Sequence, residues 1–338
     1  MRRPNFFARL LRRLVRSEPG VAAVRAPSPG EQRAPGETPP PLSRNVSLVI
    51  YNPTIPGEGG RRLSQVLGWN DPDRLTAAFA NDLREVSHGY AAYQIIERVE
   101  IDEFPPMQDG FRYTAEDYLR RWRAHGGFHQ PDAVNYDALV ERNGLLQKVA
   151  SGSIDEVWMI FYPYGGLYES RMAGPGAFWC NAPPLENTQT AGRRFVIMCF
   201  NYERGVGEML ESYGHRAESI LERAFSGLSG DANLWSRFTR YDKIAPGRAE
   251  VGTIHYAPNS RQDYDWGNPA PVLSGCRNWP YFPDLSGPPV RVTCAEWGNG
   301  DIRAHHRWWF SLLPHVAGQT GDRSNNWWDY ILDPNRVS

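Results

Sequence analysis

The chain has 338 residues, with 37 Lys and Arg against 38 Asp and Glu, and its formal net charge of −1 gives no general attraction for a polyanion. A nucleic-acid partner is therefore not predicted. Hydrophobic residues at 41% and charged residues at 22% are ordinary for a globular protein, and the length is sufficient for one large core. The 12 Trp and 16 Tyr residues favour a carbohydrate or peptide ligand, because aromatic rings are common platforms for sugars.

The first 17 residues predict a basic amphipathic helix, with apolar side chains on one face and arginines on the other. Arginines interrupt every apolar run, so neither a secretory signal nor a membrane-spanning helix is predicted. The segment could contact a membrane surface, dock on a partner or precede the true start of the protein. Residues 18–42 are rich in Pro, Gly, Glu and Ser and predict a disordered tether. The location stays open, with extracytoplasmic and membrane-surface sites both compatible.

Residues 43–338 predict a single α/β domain. Its buried strands are predicted at residues 46–51, 93–101, 157–162 and 195–200. Helical patterns over residues 71–86 and 136–150 lie between them. This alternation predicts a mostly parallel sheet of the flavodoxin- or Rossmann-like kind, flanked by helices.

Residues 245–338 predict an irregular, Trp-, Pro- and Gly-rich C-terminal part of the same domain. Two further strands, at residues 251–256 and 290–295, and a last helix over residues 301–313 are predicted there. Trp308, in an aromatic pair on that helix, is a candidate substrate-binding residue.

Polar side chains follow the carboxyl ends of the predicted strands, which is where open parallel sheets form their ligand crevice. The residues at or near these ends are Asn52, Tyr164, Glu169, Arg171, Asn181, Asn201 and Glu203. Glycines in segment 165–181 allow a ligand to approach the backbone, and Arg171 has the donors to hold a carboxylate or phosphate. The segment is predicted to be an active-site loop, with Asn52, Tyr164, Asn181 and Asn201 binding substrate.

The helical segment 203–222 carries a polar arc that suits a divalent metal. Its members, within about 80° of one another at 100° per residue, are Glu208, Glu211, His215, Glu218 and Glu222. A histidine with carboxylates four residues before and three after it can supply two or three ligands. The alternative is a surface helix whose acids pair with arginines, since no zinc signature such as H-E-x-x-H is present. Gly214 predicts that another segment packs close beside His215.

Remote histidines are predicted to complete the ligand set. His255 is one candidate, and the adjacent pair His305 and His306 can contribute one more, because neighbours on a helix point about 100° apart. We take His305 as the ligand and zinc as the metal. Asp263, Asp265 and Asn268 either bind calcium or stabilise a turn.

The cysteines show no C-x-x-C spacing, so a metal–thiolate site is not predicted. Cys276 and Cys294 bracket a Pro- and Gly-rich segment. A disulfide between them, which would suit an oxidising compartment, is as well supported as two free thiols.

These patterns favour a hydrolase that uses a divalent metal on a peptide, glycan or small-molecule substrate at the carboxyl edge of the sheet. Glu203 or Glu208 would act as general base and Arg171 would orient the substrate. The first alternative is a metal-independent glycoside hydrolase that uses Glu169 and Glu203 as an acid and base pair. The second is a non-catalytic module that binds carbohydrate or another surface.

Overall fold

The computed structural model of the protein describes residues 36–338. The predicted basic helix and residues 18–35 of the predicted tether lie outside the described residues, so membrane contact through residues 1–17 stays a prediction. The tether prediction extended too far, because the backbone N–H of Ala317 donates to Glu37 O at 2.9 Å and the first strand begins at Leu42. No helix within residues 36–338 has the length and apolar character to cross a membrane.

The strands of the described chain are β1 Leu42–Tyr51, β2 Thr54–Ile55, β3 Arg61–Arg62, β4 Ala91–Ile101, β5 Glu156–Phe161, β6 Ser170–Ala173, β7 Phe195–Asn201, β8 Val272–Ser274, β9 Val290–Val292, β10 His315–Thr320 and β11 Arg323–Asn326. The α-helices are α1 Leu63–Val66, α2 Pro72–Val86, α3 Ala115–Arg123, α4 Tyr136–Arg142, α5 Leu145–Ala150, α6 Val206–Phe225, α7 Leu234–Phe238, α8 Ile302–Ser311 and α9 Trp328–Leu332.

A five-stranded sheet in the order β4-β1-β5-β7-β6 organises the fold. The first four of these strands are parallel to one another, and the edge strand β6 is antiparallel to β7. The α/β class with a mostly parallel sheet is therefore confirmed. The predicted strands agree with β1, β4, β5 and β7 to within four residues at each end. Strand β6 was not predicted, because its four residues lie inside the glycine-rich segment taken for a loop.

The helices between the strands follow local signals. Helix α2 begins as predicted, with the Asp71 side chain accepting from Arg74 N and Pro72 in the first turn. The predicted helix over 136–150 is two helices, α4 and α5, because Gly144 interrupts it with a φ of 59°.

Helix α6 follows β7 and is buried on both sides. Its apolar side chains, such as Leu210 and Tyr213, belong to the main core, while α8 and α9 pack against it from the C-terminal part. Its acidic arc is also covered, since Glu211 is 8% exposed and Glu218 is 5% exposed. The surface-helix alternative is therefore wrong.

The segment 250–266 covers that acidic arc of α6. It forms no strand, so the strand predicted over residues 251–256 is wrong. Val251 and Ile254 are completely buried, as the apolar pattern suggested, but the segment holds them as a loop. The predicted strand at 290–295 is the shorter β9, which pairs antiparallel with β8.

All four cysteines are free and buried, so the disulfide between Cys276 and Cys294 is not formed. In the antiparallel pair, Val272 lies opposite Val292 and Ser274 opposite Val290. Cys276 and Cys294 each follow the carboxyl end of one strand, and the pairing therefore places them at opposite ends of the ribbon. Burial raises the pKa of the Cys276 thiol to about 11.

A buried ion pair joins the sheet to α6. Arg216 donates to Glu156 Oε1 at 2.5 Å and to Ile331 O at 2.7 Å, while Trp158 Nε1 donates to the same carboxylate oxygen at 2.8 Å. Arg216 is completely buried and Glu156 is 1% exposed. Neither charge is solvated, so each depends on the other.

We expect Arg216→Met to lower the free energy of unfolding by about 3–5 kcal/mol, because it leaves the Glu156 carboxylate buried without its countercharge. Urea unfolding measures the loss. The double variant Arg216→Met with Glu156→Gln should recover part of it, since the amide oxygen still accepts from Trp158. A single variant within 1 kcal/mol of the wild type, on the scale of an exposed pair, would contradict this dependence.

Candidate metal centre

Three of the predicted metal ligands converge at the interface between α6 and the segment 250–266. One ligand atom from each of Glu211, His215 and His255 lies within 4.8 Å of the other two. Glu211 Oε1 is 2.9 Å from His255 Nε2 and 4.0 Å from His215 Nε2. Both imidazoles thus present the same ring nitrogen to one carboxylate oxygen, and this group could hold a metal ion.

Gly214 explains how a loop brings His255 to the helix. Glu211 and His215 are one turn apart and share a face of α6. A Cβ atom on Gly214 would lie 2.4 Å from Ile254 Cγ1, so only glycine leaves room for this approach. The Ile254 N–H also donates to Glu218 Oε1 at 2.9 Å. The prediction that a segment packs close beside His215 is confirmed.

The Nδ1 atom of each imidazole lies against a carboxylate. His215 Nδ1 is 3.2 Å from Glu218 Oε2, and His255 Nδ1 is 3.1 Å from Asp263 Oδ1. In metal sites such a partner fixes the ring and its tautomer, which leaves Nε2 as the ligand atom. Glu218 was predicted to be a ligand. The structure instead turns one of its oxygens to His215 and the other to the Ile254 N–H, so it orients the His215 ring.

The charges of the centre are strongly coupled. Burial would raise the pKa of Glu211, but the hydrogen bond and charge of His255, with a hydrogen bond from Tyr264, lower it to about 2. Burial would lower the pKa of His215, but the hydrogen bond that its ring donates to Glu218 and the charges of Glu169, Glu218 and Glu211 raise it to about 9. The site thus concentrates negative charge that binds protons, and a divalent cation would displace those protons.

His305, also a predicted ligand, does not join this group. It lies on α8, completely buried, with its ring stacked on Trp266 at a centroid distance of 4.9 Å. The adjacent His306 pairs Nδ1 with Gly207 O at 3.0 Å. Among the described residues, both ring nitrogens of His305 and Nε2 of His306 have no hydrogen-bond partner. Burial lowers the pKa of His306 to about 4, so this ring is neutral.

Two adjoining cavities open at the carboxyl ends of β5 and β7, where the sequence predicted the crevice. The smaller, of about 60 Å³, is lined by Glu169, Asn201, Arg204, Glu208 and Ser212, among others. The larger, of about 260 Å³, includes Asn201 and Tyr164 in its lining. Asn181 Nδ2 donates to Glu169 Oε2 at 2.5 Å. The charge of Glu169, which lines the smaller cavity, also helps to raise the pKa of His215.

The other predicted site residues lie apart from the centre and line neither cavity. Asn52 is buried and exchanges two hydrogen bonds with Ser64. Arg171 donates to the carbonyl oxygens of Pro183 and Pro184. The last two are Trp308, which packs on Trp297 at 5.2 Å, and Glu203, which pairs with Arg204 at 3.8 Å.

Sequence reasoning missed two residues of the centre. Asp263 was considered only for calcium or a turn, although it supports His255. Tyr264 was not considered, yet its hydroxyl donates to Glu211 Oε1 at 2.9 Å. The only sequence signal for these two residues was the pair of aspartates on either side of Tyr264. That signal did not indicate that Asp263 would lie against His255.

Comparison with protein-family models, with curated proteins and with solved structures gave no significant match. The function is therefore inferred from this geometry alone.

We expect Gly214→Ala to lower the free energy of unfolding by about 1–3 kcal/mol, because the added methyl group must displace Ile254. Without that contact, alanine would stabilise the helix by about 1 kcal/mol. The sign of the change in the free energy of unfolding therefore shows whether Ile254 packs against position 214. Urea unfolding measures it. Gly227→Ala is the matched control, since nothing lies within 4 Å of the position that its added methyl group would take, and it should be nearly neutral. Stabilisation by Gly214→Ala would refute the close approach.

Proposed function

We propose that the protein is a hydrolase whose reaction depends on a divalent cation, best matched by zinc, held by Glu211, His215 and His255. The supporting observation is the convergence of two imidazole Nε2 atoms on one carboxylate oxygen, with a further carboxylate behind each ring. Catalytic zinc sites commonly have three protein ligands from this set of side chains and leave a position open. A zinc ion bound there would lower the pKa of a coordinated water to about 7.

Glu169 is the best-placed general base. The sequence suggested Glu203 or Glu208 for this role. Glu208 lines the smaller cavity but also accepts from Gly205 N at 3.1 Å, where it caps α6. Glu169 lines the same cavity, is oriented by Asn181 and acts electrostatically on His215. It would take the proton of a water molecule beside the ligand imidazoles.

The substrate would lie in the two adjoining cavities, which share Asn201 in their lining. Their position agrees with a flavodoxin- or Rossmann-like sheet, in which ligands bind beyond the carboxyl ends of the strands. The order β4-β1-β5-β7 supports the flavodoxin-like form of that assignment, because the second long strand of such a sheet lies on one side of the first and the third on the other, whereas a Rossmann sheet places both on the same side. A peptide, a glycan or a smaller molecule would fit the mixed polar and aromatic lining.

One observation favours the non-catalytic alternative. Tyr164 is 55% exposed and stacks on Phe128 at 3.7 Å, which leaves one face of its ring available to a sugar. The metal-independent glycosidase has weaker support, because Glu203 does not line the cavity that Glu169 lines.

We expect the purified chain to bind one equivalent of zinc and His255→Gln to lose it, because that imidazole is the only ligand from outside α6. Titration calorimetry and metal analysis by mass spectrometry measure both. His129→Gln, which removes an imidazole that pairs with Asp109 outside the centre, is the control and should retain the metal. A wild-type chain that binds no zinc, or His255→Gln that keeps it, would overturn the metal site.

We expect Glu169→Gln to keep its zinc and to lose about 10²–10⁴-fold in hydrolytic rate, the usual contribution of a general base. The assay uses chromogenic esters, peptides and glycosides, with Glu203→Gln as the control that keeps most of its activity, because Glu203 lines neither cavity. Turnover that persists after chelation would favour the glycosidase. Glycan binding without turnover in the wild type would favour the module.

A further inference from the structure

Tyr264 covers the solvent side of the candidate metal centre. The residue is 50% exposed, whereas the side chains of Glu211, His215 and His255 are 11–14% exposed. Its ring lies 4.5 Å from the His255 ring and 5.2 Å from the Trp266 ring. Tyr264 is thus an exposed neighbour of ligand side chains that are themselves largely buried.

The phenol oxygen occupies a position beside the coordination shell. It donates to Glu211 Oε1 at 2.9 Å, and that oxygen is also 2.9 Å from His255 Nε2. Ligand atoms of a four-coordinate zinc lie about 2 Å from the ion, so neighbouring ligand atoms would be about 3.3 Å apart. A substrate oxygen bound beside Glu211 Oε1 would then be close to the hydroxyl that donates to that same carboxylate oxygen.

The backbone of Tyr264 supports a functional role for its placement. Its φ of 60° is in the left-handed region, which residues other than glycine, asparagine and aspartate rarely adopt. Such conformations persist when the surrounding structure enforces them, and they cluster at functional sites. Here the conformation accompanies an aromatic residue that stays half-exposed while its hydroxyl points at a buried carboxylate.

We propose that Tyr264 is a catalytic residue whose phenol donates a hydrogen bond to the substrate oxygen bound at the open position of the metal. This inference rests on the proposed metal-dependent hydrolase. It narrows the substrate to an ester or amide, because the carbonyl oxygen of such a group becomes an oxyanion when water attacks, and a preorganised donor stabilises that charge. The hydroxyl that donates to Glu211 would turn to this oxygen instead.

A purely structural role of Tyr264 would have a different effect on the two affinities, for the metal and for an oxygen ligand. If Tyr264 served only to hold Glu211, its removal would weaken metal binding and leave the affinity for an oxygen ligand unchanged. As a donor to substrate, it affects the oxygen ligand and spares the metal. The two roles are therefore separable by measuring both affinities in one variant.

The experiment uses the full chain loaded with Co²⁺ and titrated with acetohydroxamate, whose oxygens mimic a hydrated carbonyl, followed by visible absorption. We expect Tyr264→Phe to bind Co²⁺ within about threefold of the wild type and acetohydroxamate about 10-fold or more weakly, as for a lost hydrogen bond to a charged group. Tyr90→Phe is the matched control, because it removes a phenol–carboxylate hydrogen bond, to Asp329, away from the centre. It should change neither affinity.

Each outcome has one meaning. Tyr264→Phe that binds both Co²⁺ and acetohydroxamate as the wild type does overturns the role of Tyr264 and leaves the metal site standing. Tyr264→Phe that loses Co²⁺ makes Tyr264 a positioning residue and overturns its role as a donor to substrate. A wild-type chain that binds no Co²⁺ overturns the proposed function and this inference together.

Discussion

The contact between Gly214 and Ile254 is the constraint on which the candidate site depends. It allows the segment 250–266 to lie directly on α6, which buries the acidic arc of the helix and brings His255 to Glu211. The same approach gives the Ile254 N–H a partner in Glu218, and that carboxylate in turn orients His215. A helix that would otherwise expose its acids to water thus becomes one wall of an enclosed, charged site.

Burial makes this arrangement costly unless its charges are balanced. Carboxylates and imidazoles removed from water must be paired, and here each imidazole lies against carboxylates that would also attract a cation. The Arg216–Glu156 pair on the opposite side of α6 shows the other solution, in which a permanent cation satisfies the carboxylate. The buried carboxylate of Glu156 is therefore neutralised by a permanent cation, whereas that of Glu211 lies against an imidazole. Only the cluster of Glu211, His215 and His255 consists of side chains that can exchange protons for a metal.

The central strands β1, β5 and β7 were predictable because they are largely apolar runs, which a parallel strand buried on both faces requires. The edge strand β4 was also predicted as a buried strand, but most of its residues are not buried. The pair of Glu211 and His215 was predictable because the spacing of four residues is a property of the helix itself. The segment 251–256 was misread for a physical reason. Its apolar residues Val251 and Ile254 are buried, and Ile254 packs against a helix and not against a neighbouring strand. A sequence pattern does not distinguish those partners.

The roles of Glu218, Asp263 and Tyr264 could not be predicted, since each depends on where the loop lies on the helix. Glu218 has the same spacing from His215 that a ligand would have, and only the Ile254 N–H decides which way its oxygens face. Tyr264 is separated from Glu211 by 53 positions in the chain. No local pattern links residues so far apart, and the connection exists only once tertiary packing has formed.

The ligands of the centre come from two parts of the chain, since Glu211 and His215 belong to α6 whereas His255 lies beyond α7. An ion shared between them would close a loop of about 40 residues, as a disulfide does, and would restrict the unfolded chain in a similar way. In a protein whose four cysteines are all free, such a coordination bond would be a reversible cross-link between the sheet-bearing half and the C-terminal part. The integrity of the fold and the supply of metal would then be thermodynamically coupled.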